Sequence, residues 1–150
     1  MYDWLLFLHV VAAMVWLGGG VVIAALATRA LRDPAPDAVA QFVGTLRVIG
    51  PRVLAPATVA VVGLGVWMVL DSTAWSFGQL WVQLGLGLFA AAFVTGAAYQ
   101  SRAAIKADRA AAAGEHAEAR RQLGRWALGY GVIVLLLVAA TWDMVFKLGL

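Results

Sequence analysis

The chain reads as an all-α, polytopic membrane protein: a bundle of four transmembrane helices with both termini outside. Three observations predict this. Hydrophobic residues make up 63% of the 150 positions and charged residues 13%, whereas a soluble domain is nearer half apolar and about a quarter charged. Four apolar runs, each close to the roughly 20 residues that about 30 Å of hydrocarbon requires, are separated by short links. Lysine and arginine are concentrated in two of those links.

The first span covers residues 4–27. The alternative of a signal peptide is disfavoured, because Asp3 precedes the run, no Lys or Arg does, and the apolar stretch exceeds the roughly 7 to 15 residues of such a segment. The second span, 53–70, has Pro56 in its first turn, where a missing backbone donor costs little, so Pro56 reads as a helix start. Spans three and four cover 80–99 and 126–146. One membrane domain over 1–150 leaves no room for a separate soluble one.

The link 28–52 contains Arg29, Arg32, Arg47 and Arg52, and the link 100–125 contains Arg102, Lys106, Arg109, Arg120, Arg121 and Arg125. By the positive-inside rule both links face the cytoplasm of a bacterial inner membrane, and the termini and residues 71–79 face outward. The net charge of +3 therefore reports topology, and no nucleic-acid partner is inferred; the partner is the lipid bilayer. Within the first link, after Pro34 and Pro36 and a candidate Asp37 cap, Val39, Phe42, Val43 and Leu46 recur at helical spacing. That predicts a short helix lying on the inner surface. The second link is rich in Ala, Arg and Glu, with Gly114 as a natural break, which predicts a helical hairpin carrying a Glu118–Arg121 pair and a surface His116.

The glycines at 18–20, 63, 65, 85, 87, 96, 129 and 131 describe close helix packing in lipid. They specify a bundle without specifying which one. No residue-level internal repeat accompanies the twofold order of span, basic link, span.

His9 is the residue that asks for an explanation. It lies inside an apolar span with no other ionisable side chain, where such a group is costly without a partner. At 100° per residue His9, Ala13, Trp16, Gly20 and Ala27 fall near one line, a small-residue face that points His9 into the bundle. A neighbouring side chain or backbone carbonyl would satisfy it structurally. Gln83 or Asp143 accepting one ring proton would instead fix the tautomer and free the other nitrogen for a metal. Asp143 also stands four residues from Lys147, a spacing that favours a simple ion pair.

With no cysteine in the chain, iron–sulfur clusters, thiolate zinc and covalently attached haem are excluded. Haem b held by His9 is the leading expectation; because His116 is at the opposite membrane face, a second axial histidine calls for a second copy. Copper is the other candidate, with Met14, Met68 and Met144 as soft ligands. No phosphate loop, paired-histidine metalloprotease motif or activated serine is present, so no catalytic residue is assigned.

The stretch LHVVAAMVWLGGG, Leu8 to Gly20, resembles the opening of a family of predicted bacterial integral membrane proteins of unknown function, and TWDMVFKLG, Thr141 to Gly149, resembles its close; Pro56, Gly63 and Trp81 fit between. The order histidine, tryptophan, glycine is also similar to the first helix of the copper-resistance protein D family and of HemJ-type protoporphyrinogen oxidases. The latter resemblance implies a haem-ligating role for His9, with Trp16 and Gly18 as neighbours, and a membrane redox partner. Two alternatives stand beside it: a noncatalytic scaffold or accessory subunit in which His9 ties helices together, and copper transport or proton translocation through His9 and Asp143.

Overall fold

In the computed structural model, which describes residues 1–149, all regular structure is helical. Helix α1 (Tyr2–Arg32) places Asp3 in its first turn and Arg29 and Arg32 in its last, charges that complement the helix dipole at each end. It stops at Asp33, which is extended, because the residue before a proline is pushed out of the helical region. Helix α2 (Ala38–Ile49) follows. Asp37 precedes it at the cap position without a side-chain capping bond, its carboxylate accepting instead from Gln41 Nε2 at 2.5 Å.

α2 does not end before the second span. It passes through a π-helical turn, Gly50–Leu54, directly into α3 (Ala55–Asp71), so Pro56 lies inside a continuous helix and does not start one. Pro51 within the wide turn donates no backbone hydrogen bond, and the turn re-forms the ladder with Ala55 N–H bonded to the Gly50 carbonyl. Local π adjustments of this kind are what let a membrane helix keep its prolines.

α4 (Leu80–Val94) continues through a second π segment, Thr95–Gln100, into α5 (Ser101–Ala112). The chain then turns at Gly114, whose φ of 74° is open to glycine for want of a Cβ. α6 (His116–Phe146) returns as one helix. The expected hairpin at Gly114 is present, with Glu118 paired to Arg121. The Gln122 amide and then Arg121 hold the Glu118 carboxyl below the usual carboxylate range.

The stretches Tyr2–Arg32, Ala38–Asp71, Leu80–Ala112 and His116–Phe146 are each long and apolar enough to cross a membrane. At 1.5 Å per residue they are about 46 to 51 Å long, against about 30 Å of hydrocarbon. Each is thus longer than the hydrocarbon requires, and the arginines gather at one end of the bundle.

α1 packs against α3 and α6, and α6 also packs against α4, while α2 and α5 join the arginine-rich end. The main core lies there: Ile23, Ala27, Val39, Phe42, Ala107, Leu123 and Trp126 belong to one buried cluster. The stripe of Val39, Phe42 and Val43 therefore faces protein and not a membrane surface. Phe42 meets Trp126 edge-on at 5.3 Å, and Trp126 stacks on Tyr130 at 4.7 Å. The reason is that α5 and α6 run alongside α2 and offer an apolar wall, so the stripe is removed from water by protein.

Two polar ties fasten this end. The Arg120 guanidinium donates to the carbonyls of Leu31 (3.0 Å), Asp33 and Ala35 (3.3 Å), meeting acceptors that the C-terminus of α1 and the turn beyond it leave free. Arg47 of α2 pairs with Asp108 of α5 at the surface.

Candidate functional site

His9 faces α3. Its Nδ1 lies 2.9 Å from the Val61 carbonyl oxygen; a carbonyl only accepts, so Nδ1 carries the proton and the neutral ring keeps its lone pair on Nε2. Gly65, one turn further along α3, makes room for the ring, since a methyl group there would stand 3.1 Å from His9 Cε1. The imidazole is half-buried.

The acceptor of the ring proton is thus a backbone carbonyl, and neither Gln83 nor Asp143 takes that role. Gln83 is exposed and its amide donates to the Phe77 carbonyl at 3.1 Å, tying down the link between α3 and α4. Asp143 faces α4, where Oδ2 lies 3.6 Å from the position a Cβ on Gly85 would occupy. The fold therefore places His9 and Asp143 on different interfaces of the same half of the bundle.

Of the two expected neighbours of His9, Trp16 is half-buried and meets Phe89 of α4 edge-on at 5.7 Å. Gly18 is exposed, with nothing near its Cβ position. Nine residues at 100° each carry it to the opposite side of α1, so it does not adjoin the imidazole. His116 begins α6 at the far end and is exposed.

Two of the three soft ligands lie away from His9: Met14 is 67% exposed, and the Met144 methyl lies over Gly85 of α4 while His9 lies against Gly65 of α3. Met68 is half-buried on α3, three residues beyond Gly65. Among the described residues no group of three His, Cys, Asp or Glu side chains is placed to hold a metal ion.

A cluster closes this end of the bundle. Trp75 Nε1 donates to Tyr2 Oη at 3.0 Å, Trp75 meets Trp81 edge-on at 5.2 Å, and Lys147 Nζ stands 5.5 and 5.9 Å from the two indole centroids. The expected Asp143–Lys147 pair is not formed. Lys147 adopts the left-handed cap conformation, φ 46° and ψ 66°, which takes it off the helical path and lets its ammonium lie over the tryptophan faces, a favourable cation–π arrangement.

Sequence reasoning passed over two participants. Trp81 fills a core position with its indole N–H buried and unpartnered, and its signal was an aromatic one turn before Gly85. The Val61 carbonyl had no signal, because every residue type offers one.

Beyond this geometry stands a family match. The model of a family described as a predicted integral membrane protein, DUF2269, matches residues 3–148. The chain belongs to this family. No curated protein and no solved structure matches it. Membership makes this DUF2269 protein an integral, multi-pass membrane protein, in agreement with its four spanning helices.

Proposed function

We propose that this DUF2269 protein holds a haem b through His9 in the lipid-embedded half of its bundle and serves a redox role in a bacterial inner membrane, with the arginine-rich end in the cytoplasm. The observation that carries the reading is the hydrogen bond from Nδ1–H to the Val61 carbonyl. It orients the ring and leaves Nε2 as a free ligand atom, the arrangement that metal-bound histidines commonly use.

Ligand count favours haem over copper. A porphyrin supplies four nitrogens itself, so one imidazole is enough to anchor it. A copper ion needs several side chains together, and Met14 and Met144 diverge from His9, leaving Met68 as the one methionine on the helix that His9 faces. A second histidine ligand would have to be His9 of a second copy, since His116 begins α6 at the far end of the bundle. When bound, haem supplies one-electron chemistry, and the chain's part is to hold and orient it in apolar surroundings. The likeness of the first helix to HemJ-type oxidases and to the copper-resistance protein D family supports the same residue.

The test is the absorption spectrum of detergent-purified protein from haem-supplemented cells, oxidised and reduced, beside His9→Ala. A haem band lost in the variant is expected. Two folded, colourless proteins would overturn the reading. The His9–Val61 bond also ties α1 to α3, which favours the scaffold reading; in that case His9→Ala lowers the melting temperature and leaves the spectrum and metal content unchanged.

A further inference from the structure

Asp143 is 2% exposed, and both of its carboxyl oxygens lack a hydrogen-bond partner. A carboxylate buried in this way is costly, and buried polar groups without partners are few enough in folded proteins that each asks for a physical account. On α4, one turn before the Gly85 that Asp143 lies against, Trp81 is also buried and its Nε1–H is also unpartnered. An orphaned acceptor pair and an orphaned donor thus occupy the same interface, α4 presenting Trp81 and Gly85 one turn apart on one face.

Three ligands would relieve the carboxyl: a counter-ion from the protein, a metal cation or a proton. The titratable groups in this half are Tyr2, Asp3 and His9 on α1, Asp71 at the end of α3 and Lys147 after α6, with none on α4. None bonds to the Asp143 carboxyl: His9 is held by Val61, Tyr2 by Trp75 and Lys147 by the tryptophan faces. A metal cation needs several oxygen ligands, and here there is one carboxyl and no cluster of three candidate ligands among the described residues.

We infer that Asp143 is a proton-binding site of the membrane half, holding one proton on its carboxyl, with the Trp81 indole N–H placed to stabilise the carboxylate when the proton leaves. The carboxylate takes a proton from water and returns the same proton; nothing is oxidised and no other bond changes. Asp143 lies three residues before the end of α6, about 5 Å of helical rise, so the exchange path to the near aqueous face is short. This inference does not depend on haem binding at His9.

The test is infrared spectroscopy of the full-length protein in lipid nanodiscs across a pH series, together with labelling by a hydrophobic carbodiimide, which modifies protonated carboxyls, read by peptide mapping. The expected result at neutral pH is a protonated-carboxyl band and a label on the Asp143 peptide, both lost in Asp143→Asn. Because the amide mimics a neutral carboxyl, that variant is expected to melt at the wild-type temperature. Trp81→Phe keeps the ring and removes the donor, and it is expected to move loss of the band to higher pH. A carboxylate band in place of the protonated one at neutral pH, with no label at Asp143, overturns the proton site. An unmoved midpoint in a folded Trp81→Phe overturns the role given to the indole.

Discussion

At the arginine-rich end, Ile23, Ala27, Val39, Phe42, Ala107, Leu123 and Trp126 are sealed among α1, α2, α5 and α6, whereas at the His9 end the same bundle buries little beyond Leu5, Trp81, Val82 and Asp143. The apolar residues of the second region point outward: Phe7 is 56% exposed, Trp67 51% and Val145 67%. The character of these side chains does not account for the contrast, since those sealed at one end and those exposed at the other are alike apolar. The surroundings do. Where the helices project into water, apolar surface gains by being covered; where they stand in lipid, the surroundings are as apolar as a leucine and small residues and polar contacts hold helices together. The region that water does not force together is also the one that carries His9, Asp143 and the unpartnered indole.

The sharpest way to break this contrast is a pair of tryptophan truncations compared by thermal unfolding in one detergent. Trp126→Ala is expected to cost about 3 to 5 kcal/mol, as removing a large aromatic from a packed core does. Trp67→Ala, at a lipid-facing position, is expected to stay within about 0.5 kcal/mol, as exposed substitutions do. Equal losses would mean that the two ends are packed alike.

Next in size is Arg120→Ala, which frees the carbonyls of Leu31, Asp33 and Ala35 together. About 1.5 to 3 kcal/mol should be lost, the range for hydrogen bonds to a charged group. Arg120→Lys should recover little of it, because a point charge cannot span three acceptors. Hydrogen exchange at residues 33–37 would localise the effect; unchanged protection there would remove the guanidinium from this role.

A glycine pair compares how each end responds to one added methyl. A Cβ on Gly129 would lie 2.6 Å from the Tyr99 ring, and one on Gly85 would lie 2.5 Å from the Met144 methyl. The ring is stiff and the thioether is flexible. Gly129→Ala should therefore lower stability by about 1 to 2 kcal/mol. Gly85→Ala should change it by less, with the gain in helix propensity offsetting the Met144 shift. A reversed order in the two melting temperatures would contradict the packing assigned to the two ends.

The smallest effect belongs to the exposed Arg47–Asp108 pair. A double-mutant cycle is expected to give about 0.2 to 1 kcal/mol of coupling, falling as salt is raised. A coupling that salt leaves untouched would indicate that this part of the projecting end is shielded from solvent.

Much of this architecture was legible in the residues. The four spanning helices followed from runs of apolar side chains, the hairpin from Gly114, and the inward direction of His9 from the small residues at helical spacing along its face. Other features resisted reading for definite reasons. The stripe of Val39, Phe42 and Val43 is the same whether lipid or protein covers it, and only the course of α5 and α6 alongside α2 decides between them. Pro56 looks like a helix start because a proline removes a donor, yet the π turn at Gly50–Leu54 absorbs the break. Asp143 and Lys147 have ion-pair spacing on an ideal helix, and the left-handed cap at Lys147 cancels it.

Helical class, the number of spanning helices and the concentration of arginine in two links were determined by the sequence alone, because each depends on residues close together in the chain. Helix register decided the rest. The carbonyl that receives the His9 proton is 52 residues away, the Leu31 carbonyl that Arg120 reaches is 89 residues away, and the glycine beside Asp143 belongs to another helix. Such partners are chosen by how four helices settle against one another, and that choice sums many weak packing contacts that no local pattern records.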